Sequence, residues 1–220
     1  MIAEEIIASE IPSLKASDSC ENALKIMDEF KVLHLPITKG RELLGLISEN
    51  ELLEVDDTQK KLQTLTQKMV KPFILDKQHL YEVIKMFANH DVSVLPVLTQ
   101  ELKYLGAITL GSVMKRMSWL SAAREPGGIV VLEMNKMDYA LSEIAQIIES
   151  NDGKVLSCHV SSSVDNRKIL VTIKLNTEDL SRILQTFERY NYSVVSTYNQ
   201  ADYKEDIKNK YDAFMNYINM

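Results

Sequence analysis

The chain has 220 residues, 45% of them apolar and 25% charged, and a formal net charge of −6 at pH 7. That is an ordinary globular composition, long enough for one large or two modest domains that each bury a core. Residues 1–120 carry 14 Lys/Arg against 17 Asp/Glu, and residues 121–220 carry 11 against 14, so each part is −3. No basic face or tail is expected, which argues against nucleic-acid binding driven by phosphate neutralisation.

The first residues, Met1-Ile2-Ala3-Glu4-Glu5, are acidic where a signal peptide is basic. No apolar run approaches the roughly 18–20 residues that span a bilayer. Cys20 and Cys158 lie far apart without CxxC spacing. Both are expected to be small buried hydrophobes, without a disulfide, in a cytoplasmic protein.

In chain order, Asp18 stands three residues before Glu21, a capping-box pattern that predicts a helix start. Ala23, Leu24, Met27 and Phe30 follow at helical spacing as its buried stripe. Leu33–Ile37 reads as a strand with Pro36 at its end, Lys39-Gly40-Arg41 as a turn, Leu43–Ile47 as a second strand, and Glu49–Glu54 as a short helix. The same order then returns. A helix is expected from about His79 to Asn89, strands over Val92–Val97 and Tyr104–Ile108, and a helix from Gly111 to about Trp119.

The two stretches match at an offset of sixty residues. Pro12 aligns with Pro72, Leu35-Pro36-Ile37 with Leu95-Pro96-Val97, and, after one inserted residue, Gly45-Leu46-Ile47-Ser48 with Gly106-Ala107-Ile108-Thr109. Such self-similarity means one supersecondary unit built twice, each copy burying its apolar face against the other. A cleft between copies favours a binding protein over an enzyme.

Residues 122–128, with Pro126-Gly127-Gly128, read as a hinge. Beyond it come a strand Ile129–Met134, a helix Tyr139–Glu149 that Asp138 caps, strands Lys154–Ser161 and Lys168–Leu175, a helix that Thr177 caps and that ends at Tyr190, and a strand Ser193–Tyr198. That order is βαββαβ, the ferredoxin-like split unit. Ile207, Tyr211, Phe214 and Ile218 then recur at spacings of four, three and four, which predicts a C-terminal amphipathic helix.

On these marks the duplicated unit resembles a tandem pair of CBS domains (a Bateman module), and the second part resembles an ACT domain. The order is similar to that of bacterial CBS–ACT proteins of the acetoin-utilisation type. The resemblance implies a mixed α/β (α+β) fold with CBS repeats over 1–60 and 61–121, a hinge over 122–128, an ACT-like domain over 129–200 and a terminal helix over 201–220. It also implies a non-enzymatic, homodimeric regulatory protein with no required cofactor. AMP, ADP, ATP or S-adenosylmethionine would occupy the cleft between repeats, and the ACT-like part would relay binding to the dimer or to a separate protein target.

Carried over residue by residue, the resemblance places the base against the backbone near Leu35 and Leu95, phosphate at Ser48 and Thr109, and ribose at the acidic position three residues after each hydroxyl. Those positions hold Glu51 and Ser112, where the family has Asp. Glu51 keeps the charge one methylene further out; Ser112 is short and neutral, so the first cleft is the better candidate. Ser48-Glu49-Asn50-Glu51 is also a complete capping box, a role that needs no ligand. Thr109 reads as a plain helix cap without a box partner. The turn Asn135–Tyr139 has no glycine, unlike amino-acid-binding ACT turns, which favours an interface role for that part. A ligand-independent dimerisation scaffold with degenerate sites is therefore the alternative function.

Enzymatic patterns are not found. His34, His79, His90 and His159 are scattered without metal-ligand spacing, and no phosphate loop or GxSxG elbow occurs. His34 lies beside the expected cleft and reads as a packed or surface residue.

Overall fold

A computed structural model describes residues 1–199 apart from Val164 and Asn166. The expected amphipathic helix with Ile207, Tyr211, Phe214 and Ile218 lies outside the described residues. The chain divides into two compact units, one covering Met1–Arg116 and the other starting at Met117.

The first unit contains two three-stranded sheets of the same design. In the first repeat, β1 (Leu14–Lys15), α1 (Cys20–Phe30), β2 (His34–Lys39), β3 (Glu42–Ser48) and α2 (Glu49–Leu53) follow one another. β2 is central, parallel to β1 and antiparallel to β3. In the second repeat, β4 (Ile74–Leu75), α3 (Leu80–Asn89), β5 (Val94–Leu98), β6 (Tyr104–Thr109) and α4 (Leu110–Leu120, which runs on past Arg116) repeat that order, with β5 central. Helical spacing buries Ala23 and Met27 of α1 against Leu35, Ile37 and Ile47. Removing these side chains from water is the main stabilising term, roughly 1.5–3 kcal/mol for each large one.

Pro36 and Pro96 lie inside β2 and β5 rather than at strand ends, paired with Leu46 and Ala107. They are tolerated because β1 and β4 are only two residues long. Their pairing starts at Ile37 and Val97, so neither proline ring stands where a ladder N–H is needed.

The second unit runs β7 (Ile129–Asn135), a 3₁₀ turn Lys136–Asp138, α5 (Leu141–Glu149), β8 (Val155–Ser162), β9 (Lys168–Leu175), α6 (Ser181–Arg189) and β10 (Ser193–Tyr198). The antiparallel sheet order is β10-β7-β9-β8, the ferredoxin-like arrangement of a βαββαβ chain. Along β9 every second residue is buried: Ile169, Val171, Ile173 and Leu175. This period of two aims them at Ile144, Ile147 and Ile148 of α5 and at Ile183 and Phe187 of α6.

Three helix caps differ from the sequence expectation. Ser19, not Asp18, caps α1 by accepting from Asn22 N–H at 3.2 Å, while Asp18 closes the preceding turn through Lys15 N–H at 2.8 Å. Asp138 accepts from the Asn135 side chain at 2.8 Å in the 3₁₀ turn, which delays α5 to Leu141. Thr177 lies before the start of α6, where Asp179 accepts from Ser181 N–H at 3.0 Å. Cys20 is buried and Cys158 half-buried, and both are free thiols. Among the described residues no helix is long and apolar enough to cross a membrane.

Candidate functional site

Within the first unit the two repeats are tied by exchange of their leading segments. The segment before β1 lies on the second repeat: Ala3 N–H donates to Gln78 O at 2.9 Å, Glu4 N–H to Asp76 O at 3.0 Å and Ala8 N–H to Ala107 O at 2.8 Å. The segment before β4 lies on the first repeat, where Lys60 O accepts from Cys20 N–H at 3.0 Å and Val70 O from Leu46 N–H at 2.8 Å. Gly45 and Gly106 make this crossing possible. A Cβ at Gly45 would stand 2.7 Å from Met69 Cβ and 2.9 Å from Val70 O, and one at Gly106 would stand 2.6 Å from Ile7 Cγ2. The repeated glycine therefore admits a neighbouring chain, a role that its spacing alone does not reveal.

Three residues after each glycine comes a hydroxyl at a helix start. Ser48 caps α2: its Oγ accepts from Glu51 N–H at 3.2 Å, and Glu51 Oε2 accepts from Ser48 N–H and Ser48 Oγ–H, both at 2.8 Å. Thr109 and Ser112 make a second reciprocal pair. Thr109 Oγ1 accepts from Ser112 N–H at 3.1 Å, and Ser112 Oγ accepts from Thr109 N–H at 3.1 Å. The expectation that Thr109 lacks a box partner fails here. A serine three residues on is long enough to reach the cap N–H, and it also donates to Thr109 O at 2.8 Å.

Across the sheet Ser48 pairs with His34 and Thr109 with Val94, so each hydroxyl faces the start of its repeat's central strand. Leu35 and Leu95 follow on those strands, fully buried opposite Ile47 and Ile108. Their side chains are core, and only their backbone could meet a ligand. Each repeat thus assembles its own Leu, hydroxyl and Glu51 or Ser112.

The strand starts of the two repeats also meet each other. Leu33 N–H donates to Ser93 Oγ at 2.9 Å, and Ser93 N–H donates to His34 Nδ1 at 3.2 Å. Burial holds the His34 pKa below its ordinary value, with the carboxylates of Asp91 and Glu51 working against that shift. The sequence singled out His34 but not Ser93. The available signal was that residue 93 is the sixty-residue counterpart of Leu33, with a hydroxyl in place of an apolar side chain.

At the other end of the junction Tyr104 N–H donates to Arg41 O at 2.8 Å, joining the hairpin turns. The Tyr104 hydroxyl is buried and finds no partner among the described residues, and burial pushes its pKa up. No group of three or more His, Cys, Asp or Glu placed to hold a metal occurs among the described residues.

The CBS domain model matches the chain twice, over residues 3–57 and 69–118. The repeats are a tandem pair of CBS domains. The CBS pair accounts for the duplicated sheets and the paired helix starts. Over 177 residues the chain is 23% identical to inosine-5′-monophosphate dehydrogenase of Methanocaldococcus jannaschii, covering 78% of this chain and 34% of that protein. The chain thus spans about a third of that relative's length. Among solved structures, a CBS domain pair/ACT domain protein from Thermotoga maritima aligns with a TM-score of 0.48 at 18% identity, covering 53% of this chain and 96% of that one. CBSX2, solved in complex with AMP, aligns with a TM-score of 0.44 at 23% identity, covering 54% of this chain and 96% of that one.

In the second unit the turn Asn135–Tyr139 borders an open groove of about 370 Å³ lined by Glu133, Asp138, Lys168 and Tyr192 among others. Lys168 and Glu133 are paired at 2.7 Å, and that bond holds the Glu133 carboxyl below the usual range.

Proposed function

We propose that this is a non-enzymatic, cytoplasmic regulatory protein that binds an adenosyl ligand between its CBS repeats. AMP, ADP, ATP or S-adenosylmethionine is the ligand class. The limits of the parts are 1–60 and 61–121 for the repeats, 122–128 for the hinge and 129–200 for the ACT-like part, which forms a homodimer and passes the change to it or to a protein target. The observation that carries the reading is the tandem CBS pair with a hydroxyl, Ser48 or Thr109, at the equivalent helix start of each repeat. Ser48 and Thr109 hold phosphate, Glu51 holds ribose, Ser112 holds the second ribose less well, and the backbone at Leu35 and Leu95 meets the base. For Glu51 to reach a ribose its carboxylate leaves Ser48, so binding exchanges its two bonds to Ser48 for ligand bonds.

A second reading has its own observation. Glu51 and Ser112 are both engaged as helix caps, which suits a scaffold whose clefts no longer take a ligand.

Thermal unfolding of the full chain against AMP, ADP, ATP, S-adenosylmethionine and free amino acids separates the two. A ligand at a hundred times its Kd adds about 2.7 kcal/mol to the folded state, roughly 5–10 °C for a chain of this size. Stabilisation by adenosyl ligands, lost in Glu51→Ala, supports the sensor. Stabilisation by amino acids alone moves the site to the second unit, and a flat panel leaves the scaffold.

A further inference from the structure

We propose that His34 is a proton-operated latch between the two repeats: its neutral ring holds Ser93, and protonation releases it. The latch needs no ligand, so it stands or falls apart from the reading of the cleft.

Residues 33 and 93 are counterparts in the duplication, and they face each other where the central strands begin. Two hydrogen bonds close that contact. Leu33 N–H donates to Ser93 Oγ at 2.9 Å, and Ser93 N–H donates to His34 Nδ1 at 3.2 Å. The Ser93 hydroxyl also stands 3.3 Å from Nδ1. A backbone N–H can donate to Nδ1 only if that nitrogen keeps its lone pair, so the ring carries its proton on Nε2. A second proton, on Nδ1, sets two N–H groups against each other, so the bond from the Ser93 backbone N–H is lost. Only the Ser93 hydroxyl, which already accepts from Leu33 N–H, is left to receive the ring proton.

The charged groups facing the ring are Asp91, two residues before Ser93 on the second repeat, and Glu51, in α2 of the first. Both attract an imidazolium. Burial opposes the charge and outweighs them, holding the ring below its ordinary value of 6.5. The unfolded chain therefore binds the proton more readily than the folded one. The stability contributed by neutral His34 is complete above the unfolded value and is lost as pH falls through the folded value. The repeats are latched at neutral pH and loosened by acidification.

The test is a nuclear magnetic resonance titration of the full chain from pH 8 to pH 5, following the His34 ring nitrogens and the exchange of the Ser93 amide. At high pH the His34 ring should show a protonated Nε2 and a bare Nδ1. As the ring takes up its second proton, Ser93 exchange, corrected for its intrinsic pH dependence, should accelerate at least tenfold over the same interval. In His34→Asn, which keeps an acceptor near Nδ1 but cannot titrate, Ser93 protection should be flat with pH. Constant corrected protection while His34 titrates overturns the latch, as does an equal acid-dependent loss in the Asn variant. If that variant does not fold, the wild-type titration decides by itself.

Discussion

Gly45 and Gly106 are counterparts, yet one added carbon should have different consequences at each. At Gly45 the new Cβ meets Met69 Cβ and the Val70 carbonyl, at a φ of +154°. Neither neighbour can rotate away without moving the crossing segment. At Gly106 it meets only side-chain atoms, foremost the β-branch methyl Cγ2 of Ile7, which can yield by a χ1 rotation without moving backbone. Gly45→Ala should cost roughly 1–3 kcal/mol and Gly106→Ala distinctly less, as read by urea unfolding. The reverse ranking would mean that the Val70 crossing is soft. Tyr104→Phe removes a buried hydroxyl without a partner among the described residues, so it should be neutral or stabilising by up to about 1 kcal/mol. A clear loss of stability would reveal a hidden partner. At this scale what the sequence makes legible is local. The Ser48–Glu51 box is readable because its members are three residues apart, whereas His34 and Ser93 are 59 apart and no spacing rule joins them.

Among the elements, helices and strands were legible from their periods, because burial of one face imposes 3.6 on a helix and two on a strand. Their first residues were less so. A cap depends on which backbone N–H is left free, and a neighbouring turn can claim the same carboxylate, as Lys15 claims Asp18. Ser19→Ala should therefore lower stability by about 1 kcal/mol through loss of the Asn22 bond, with helix content falling at the start of α1. If Asp18→Ala affects α1 and Ser19→Ala does not, the cap has been misplaced. The exchanged segments, 1–8 and 58–70, were not legible. They carry no period, and their partners lie in the opposite repeat. Yet they bury Ala3, Ile6, Leu62 and Leu65, so the two repeats cannot be separated without stripping each of part of its core.

For the whole molecule, regulation through the second unit requires that binding in the CBS pair change something there. The second unit has its own core, built on Val130, Leu132, Val171 and Phe187, and so can unfold in its own transition. Linkage then makes a sharp demand: if an adenosyl ligand alters self-association through that unit, self-association must alter ligand affinity by the same factor. A coupling of about 1–3 kcal/mol, or 5–150-fold, is the usual size. Sedimentation at a series of concentrations, with and without AMP, should therefore show a shifted dissociation constant, and AMP affinity measured at protein concentrations either side of that constant should shift equally. If AMP binds and raises only the transition of Met1–Arg116 while both constants stay fixed, the two units are energetically independent. The protein would then be a ligand-binding pair carrying a separate association domain, and its output would have to come from the CBS surface itself.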